Sequence, residues 1–495
     1  MSLRRTQTPL RIDELESMIR GGDFATVKKH LRSLNSKSIP RDEVVKFANL
    51  ANRVDSPRFA FRLLYPIIRS EKSLVAPASG LEQIEYAEAM RRMGLVSEAY
   101  RTYSLMNLKS YPVARLRMAF CLFSQWRYRE AIPILKDYLS DISPEEYSHS
   151  IAMVNLAAAL VFEGLNDEAL SLLAKLNVET AQKKYQLLRG NCLELTAQVH
   201  VCQASYAEAI RLLNEATELS PNGQTKYSLY QRKWRAIAEC LQNGKSSAPL
   251  LHSVRQTAAD SADWETVRDC DLYLAHVEQD MDLMKQVFFG TPYRTYRKRI
   301  TSLTGQNFSQ ELCYLWNPTK NSHPRILNTE AGSIEKSELS LGSGHLMHRF
   351  LQHLTADFYK PLSLGAAFSE LFPDENYAQI GSANRISQIV RRLRTWSAKN
   401  AVGFKVTELN GSFRFIIESD LALRVPESLP ENSPQDHSWR LVENGVRASF
   451  FSRNDVEHQT GSSAATAKRL LRWAIDAGKV EVIGSGPGTK YRLAA

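Results

Sequence analysis

Alanine recurs along this chain in pairs twelve residues apart, and the pairs keep one phase. Four segments share a phrase, GLVSEAYRTY, WRYREAIPIL, GLNDEALSLL and ASYAEAIRLL, whose alanines are Ala99, Ala131, Ala169 and Ala209. Twelve residues before them stand Ala87, Ala119, Ala157 and Ala197, and the spacing returns at Ala48/Ala60 and Ala236/Ala248. Each phrase alanine is followed by an apolar residue and, four positions on, by Tyr103, Leu135, Leu173 or Leu213. Helix propensity explains helices but not a fixed phase across six of them. The phase predicts helical hairpins. A small residue on the first helix lets the second approach, and the second alanine fills the reciprocal contact. The apolar residues after it lie on the buried face. Between the alanines comes the turn, often with Gly or a polar residue: Asp55, Gly94, Gly164, Gly244.

On these residues the chain resembles the tetratricopeptide repeat family. Pro221, after the fourth phrase, stands where that family often ends a repeat. Intervals longer than the standard ~34 residues mark the repeats as divergent, as do Gln, Arg or Glu where Trp is common. The resemblance covers 40–255, and helical stretches at 11–34 and 263–289 extend or cap the stack. It implies a region that binds a protein or peptide in its groove, or that forms homo-oligomers.

At 495 residues the chain exceeds one compact core, and 43% hydrophobic with 23% charged residues is the balance of a folded protein. The net charge of +10 favours an anionic partner. MSLRRTQTPLR leads into no apolar h-region, and the longest apolar run, 151–162, falls short of the ~18 residues of a membrane span. The expectation is a cytoplasmic, nucleoid-associated bacterial protein without a membrane partner. The six cysteines form no CxxC pair and read as reduced, buried thiols. His345, His348 and His353 lie close together, but no carboxylate or cysteine completes a metal ligand set. No Walker loop, HExxH, GxSxG or kinase signature is present, so neither enzyme activity nor a cofactor is expected.

Beyond the repeats, PYRTYRKRI is aromatic and basic; a solvated helix face is its expected role, with nucleic-acid contact as the alternative. RILNTEAGSIEKSELSLGSG alternates around Gly332 and predicts a small β-sheet. Three helices should follow, near 346–359, from a Ser363 cap to Pro373, and 384–398. FKVTEL and SFRFII then flank Asn410-Gly411, a strong hairpin signal. At 100° per residue the third helix turns Ile386, Ile389, Val390, Leu393 and Trp396 toward a core. Asn384, Gln388, Arg391 and Thr395 point away, flanked by Arg385 and Arg392. Amide and guanidinium groups in a row suit bidentate contact with base edges, and flanking arginines suit phosphates. Taken alone, the same row would serve as a solubilising face.

From the strands before His345 through QIVRRLR to FKVTELNGSFRF, this stretch resembles the winged-helix effector domain of two-component response regulators and antibiotic-regulatory activators. The resemblance implies a third helix in the major groove and a hairpin wing along the backbone. Ser412-Phe413 replaces the usual Gly-Tyr, and no receiver domain precedes it, so its input would come from the repeats.

The end of the chain repeats the logic. SWRLVENGVRASFF and SRNDVEHQTG read as first and second helices, and SSAATAKRLLRWAIDAGK as the third. GSSAATAKRL resembles the turn and recognition-helix start of bacterial winged-helix regulators. Ala467, Leu470, Ala474 and Ala477 should face inward, with Leu471 and Trp473 at the edges of that side. Ala465, Lys468, Arg469 and Arg472 should face outward, and Ser463 lies in the first turn, where small residues let the helix terminus approach a duplex. GSGPG is a wing tip, and Lys490 and Arg492 carry positive charge into the wing strand.

The expected fold is mainly α: a tetratricopeptide-like solenoid at 1–290, a connector at 291–324, and winged-helix (α+β) domains at 325–426 and 438–495 joined by a linker at 427–437. The expected function is sequence-specific binding of double-stranded DNA in transcription regulation, without chemistry. The alternative is a scaffold subunit whose repeats and winged helices bind proteins.

Overall fold

The computed structural model describes residues 11–20, 23–69, 76–219, 226–309, 311, 313–418, 420–427, 439, 442–443, 445–446, 450–460, 464–484 and 486–493. Two compact units emerge, one of 1–287, 293–306 and 363–383, the other of 288–292, 307–362 and 384–495.

The first unit opens with α1 (Ile12–Arg20) and α2 (Phe24–Ser33), then runs as antiparallel helix pairs. These are α3 (Arg41–Arg53) with α4 (Pro57–Ile68), α5 (Gly80–Arg92) with α6 (Val96–Ser104), and α7 (Val113–Phe123) with α8 (Tyr128–Asp141). Next come α9 (Tyr147–Phe162) with α10 (Asn166–Gln182), α11 (Gln186–Cys202) with α12 (Tyr206–Glu218), and α13 (Lys226–Asn243) with α14 (Ala248–Asp260). Then follow α15 (Trp264–Glu278), α16 (Met281–Phe289) and α17 (Arg294–Thr304). From α3 to α15 each helix packs on the next. The twelve paired alanines fall one on each helix from α3 to α14, and none is more than 5% exposed. This is a helical-repeat solenoid.

A shared turn sets the phase. Asp55, Gly94, Trp126, Gly164 and Ala204 all have left-handed backbones, φ +55° to +91°, each five residues before the second alanine. The next N–H then reaches back into the finished helix: Ser56 to the Ala51 carbonyl, Leu95 to Met90, Arg127 to Leu122, Leu165 to Leu160 and Ser205 to His200, at 2.8–3.0 Å. That bond is the six-to-one closure of a Schellman cap. Trp126 and Ala204 adopt it without glycine, so the glycine signal shows only part of the pattern. Pro221 lies outside the described residues.

α17 is two-sided: Arg294, Lys298 and Ser302 form the expected solvated face, while Tyr296 and Ile300 on the other side are fully buried. Segment 363–383 also belongs to this unit, through α19 (Leu364–Leu371), which packs on α6. Ser363 caps α19 by accepting from the Ala366 N–H at 3.1 Å. A side chain at Gly365 would meet the Met93 carbonyl at 2.3 Å, so only glycine allows this approach.

In the second unit, β1 (Cys313–Trp316), β2 (Arg325–Asn328), β3 (Ser333–Ile334) and β7 (Leu421–Pro426) form a sheet of order β1-β7-β2-β3, with β2 and β7 parallel. α18 (Leu346–Thr355) is shorter than expected, since Asp357 turns the chain by accepting from the Tyr359 and Lys360 N–H groups at 2.9 and 3.0 Å. After the two-residue strand β4 (Leu362–Ser363), α20 (Gly381–Lys399) leads into the hairpin β5 (Phe404–Leu409) and β6 (Ser412–Ile417), turning at Asn410-Gly411 with φ of +54° and +75°.

The C-terminal segment contains α21 (Arg453–Thr460), α22 (Ala464–Asp476), and the hairpin β8 (Val480–Ile483) and β9 (Lys490–Leu493). Trp439, Val442, Phe451, Val456, Ala467, Leu470, Leu471, Ala474 and Val480 form its own core. The expected first helix does not reach Phe451, whose N–H and carbonyl bond the Tyr491 backbone at 2.9 and 2.8 Å.

Candidate nucleic-acid interface

α20 contains no carboxylate. Ile386, Ile389, Val390 and Leu393 are buried, while Asn384, Gln388, Arg391, Arg392 and Thr395 are exposed. The side chains of Asn384, Gln388, Arg391 and Arg392 have no hydrogen bond or ion pair among the described residues. Arg385 is half-buried and engaged by its neighbours, so it stands apart from this row. Arg394 donates from Nε to the Val406 carbonyl at 2.7 Å, and Ser397 Oγ donates to the Phe404 carbonyl at 2.7 Å. These two bonds fix the helix against β5.

The hairpin adds residues that the sequence reading passed over. In its register Lys405 faces Ile416 and Thr407 faces Arg414, so these four share one exposed side. Lys405 pairs with Glu418, and Arg414 is the second cation on that side. Partial burial draws the Arg414 pKa below its ordinary value, although a guanidinium stays charged across any working pH. Counting outward from the Asn-Gly turn in steps of two would have found it. Phe413 is buried against Phe350 with ring centroids 5.6 Å apart.

On α22, Ala465, Lys468, Arg469 and Arg472 are exposed, while Ala467, Leu470, Leu471 and Ala474 are buried. Ala477 is a correction: it lies past the helix end, in the turn, and is exposed. Leu471 is in the core rather than at its edge. Ser463 lies outside the described residues. Lys490 is exposed, but Arg492 is bound to Glu481 and adds little free charge. Arg469 donates to Thr466 Oγ1 at 3.3 Å, a neutral partner, and has no ion pair among the described residues.

His348 is fully buried. Its Nδ1 accepts from the Gly344 N–H at 2.8 Å and its Nε2 lies 2.9 Å from the Thr329 carbonyl, so both nitrogens serve the backbone. Among the described residues no group of three His, Cys, Asp or Glu side chains is placed to hold a metal ion, and no helix is long and apolar enough to cross a membrane. The thiols differ from the uniform expectation. Cys202 is exposed and Cys313 half-buried, whereas burial pushes the Cys121, Cys192 and Cys270 thiols up to about 12.

No protein-family model matches the chain. No curated protein matches it either. Among solved structures, a Rap protein complexed with competence and sporulation factor is similar at 10% identity and TM-score 0.41, over 79% of this chain and 97% of that one. The apo form of RapI is similar at 13% identity and TM-score 0.38, over 56% and 84%. A Podosopora anserina kinesin light chain with nearly identical TPR-like repeats gives 17% identity and TM-score 0.31, over 37% and 97%. At these scores the likenesses carry no argument, and the repeat reading rests on the hairpin geometry above.

Proposed function

We propose that this protein is a sequence-specific DNA-binding regulator that acts by binding, without chemistry, and that its C-terminal unit holds two winged-helix readers. The observation that carries the reading is the outer face of α20, a row of amides and guanidinium groups with no hydrogen bond or ion pair among the described residues and no carboxylate on the helix. α20 reads bases in the major groove, its hairpin lies along the phosphates, and α22 acts likewise in the last domain. The repeats bind a protein or peptide, or a second copy of the chain.

The input runs through segment 363–383. Ser363 Oγ donates to the Met93 carbonyl at 3.3 Å, and the Tyr377 N–H donates to the Glu98 carboxylate at 3.1 Å. Tyr377 also packs edge-on against Phe61 at 5.6 Å. The chain then passes directly into α20, so a partner that moves α5 or α6 moves the residues from which the reading helix begins.

The test is titration of labelled random duplex with the full chain at several salt concentrations. The wild type should bind with steep salt dependence, and replacing Arg391, Arg392, Lys468 and Arg472 together by alanine should abolish it. Unchanged duplex binding in that variant would remove the DNA assignment. Absence of binding in the wild type would leave the scaffold reading in its place.

A further inference from the structure

A pocket of about 130 Å³ opens in the second unit, between the turn after α18 and strand β6. Two local features of the sequence make it. Asp357 turns the chain out of α18 by accepting from the Tyr359 and Lys360 N–H groups, so residues 358–361 leave the helix and border the pocket. Pro361 then has no N–H to give to β6, and β4 begins only after it, so the sheet is left open at that point. β6 supplies the facing wall with four consecutive residues, 413–416. Side chains alternate along a strand, so Phe413 and Phe415 come from one side of the pleat and Arg414 from the other. Opposite them Trp316, at the end of β1, stacks on Phe358 with centroids 4.2 Å apart and planes 18° from parallel. Leu354, Thr355 and Phe413 are buried at the base, whereas Lys360 and Arg414 are exposed. The pocket is aromatic in its walls and cationic at its mouth.

Size and charge together narrow the occupant. An apolar cavity of about 150 Å³ holds one benzene, so this pocket has room for a single six-membered ring and not for a fused pair. Flat aromatic walls favour a flat ring over a branched chain. Three charged side chains line the pocket. The Asp357 carboxylate is engaged by the backbone turn, while Lys360 and Arg414 present positive charge. Partial burial lowers the Arg414 pKa, and an anion beside the guanidinium restores the stabilisation that burial removes. Ring and anion are met by one molecule when the charge is attached directly to the ring.

We propose that this pocket is a binding site for a small aromatic carboxylate of one ring, the ring lying between the Trp316–Phe358 stack and Phe415 and the carboxylate on Arg414 and Lys360. Bound there, the ligand ties β6 to the turn after α18 and takes up a cation of the hairpin. The site is separate from the repeats and from the outer face of α20, and it does not rest on the DNA reading.

The probe is sodium benzoate, titrated by calorimetry into the full chain, with benzamide as the ring without the charge and acetate as the charge without the ring. Benzoate should bind about tenfold or more tightly than either, because only it buries a ring and meets the guanidinium with an anion. Arg414→Gln changes an exposed position and should weaken benzoate about tenfold while leaving benzamide unaffected. In the wild type, saturating benzoate should slow amide hydrogen exchange within 354–361 and 413–416. Absence of benzoate binding overturns the proposal. Benzoate held no better than acetate also overturns it, since the basic surface alone would then account for the anion. Benzoate affinity unchanged by Arg414→Gln, or protection that falls elsewhere in the chain, does the same. Duplex binding, titrated in parallel, holds or fails separately: a chain that takes benzoate here and no duplex keeps this site and loses the DNA reading.

Discussion

The repeats and the C-terminal unit use their cations in opposite ways. In the repeats many arginines bind carboxylates of another helix: Arg41 to Glu82 at 3.0 Å, Arg69 to Glu98 at 2.6 Å, Arg189 to Glu215 at 2.7 Å. On α20 the cations Arg391 and Arg392 have no such partner among the described residues. A paired arginine has its field largely cancelled, while an exposed, unpaired one attracts phosphate and displaces counterions. The net charge of +10 is therefore a poor guide by itself; where the cations are left uncompensated is the better one.

The largest expected effect tests the paired side. Glu88 is 1% exposed and is bound by Arg91 at 2.7 Å and Arg92 at 2.7 Å, with Arg117 at 3.7 Å. Burial pushes its carboxyl up, but the arginines outweigh burial and hold it below the ordinary value of 4.5. A depressed carboxyl stabilises the fold above its unfolded pKa and loses that contribution as pH falls through the folded one. Glu88→Gln should cost about 3 kcal/mol at neutral pH by leaving the arginines uncompensated. In denaturant titrations the gap between variant and wild type should close as the pH drops below the ordinary carboxylate range. A gap independent of pH would show that packing, not charge, holds this site.

The next effect tests the alanine phase, the part most legible in sequence. Ala157 and Ala169 are both fully buried on α9 and α10. Ala169→Leu should overpack their crossing and cost about 1–3 kcal/mol, read as a lower thermal midpoint of the full chain. An unchanged midpoint would mean that the crossing has slack.

Legibility follows the range of the interaction. The alanine pairs were readable because one repeated local contact leaves one repeated spacing. The faces of α20 and α22 were readable because helical periodicity sorts inward from outward. β7 was not, although it lies inside its sheet, because LALRVP shows no clear alternation and its partners β1 and β2 lie far back in the chain. The solvated side of α17 was legible but its buried side was not, because Tyr296 packs on Trp126 and bonds Asp269, which no local pattern connects to it. Arg385 flanks the outward row by angle, and helical angle alone does not show that it is half-buried and engaged.

The exposed side of the comparison is sharpened on α20. Arg391→Ala should relax base preference at one position of a selected site by about 1–3 kcal/mol. Arg392→Ala should weaken all duplexes alike. Arg385→Ala should act through the stability of the unit and leave selected sequences unchanged. Selection from random DNA distinguishes the three, and a sequence shift from Arg392→Ala instead would rotate the assigned reading face.

The smallest effect concerns α22, where paired and unpaired cations lie in one small domain. Lys468 has no ion pair among the described residues, and Arg469 has only the neutral Thr466 hydroxyl. Each should therefore release about one counterion on reaching a phosphate, contributing about 0.9 to the slope of log affinity against log salt. Replacing both by alanine should flatten that slope by roughly two units. Arg492 supplies the contrast within the same hairpin and helix, because Glu481 already compensates it. Arg492→Ala should leave the slope nearly unchanged although it removes the same formal charge. Measured in the full chain with Arg391 and Arg392 already replaced, the slope reports α22 rather than α20. Equal flattening by the double variant and by Arg492→Ala would mean that net charge alone sets the affinity. If neither variant changes the slope, α22 does not meet phosphate, and α20 would be the only reading helix.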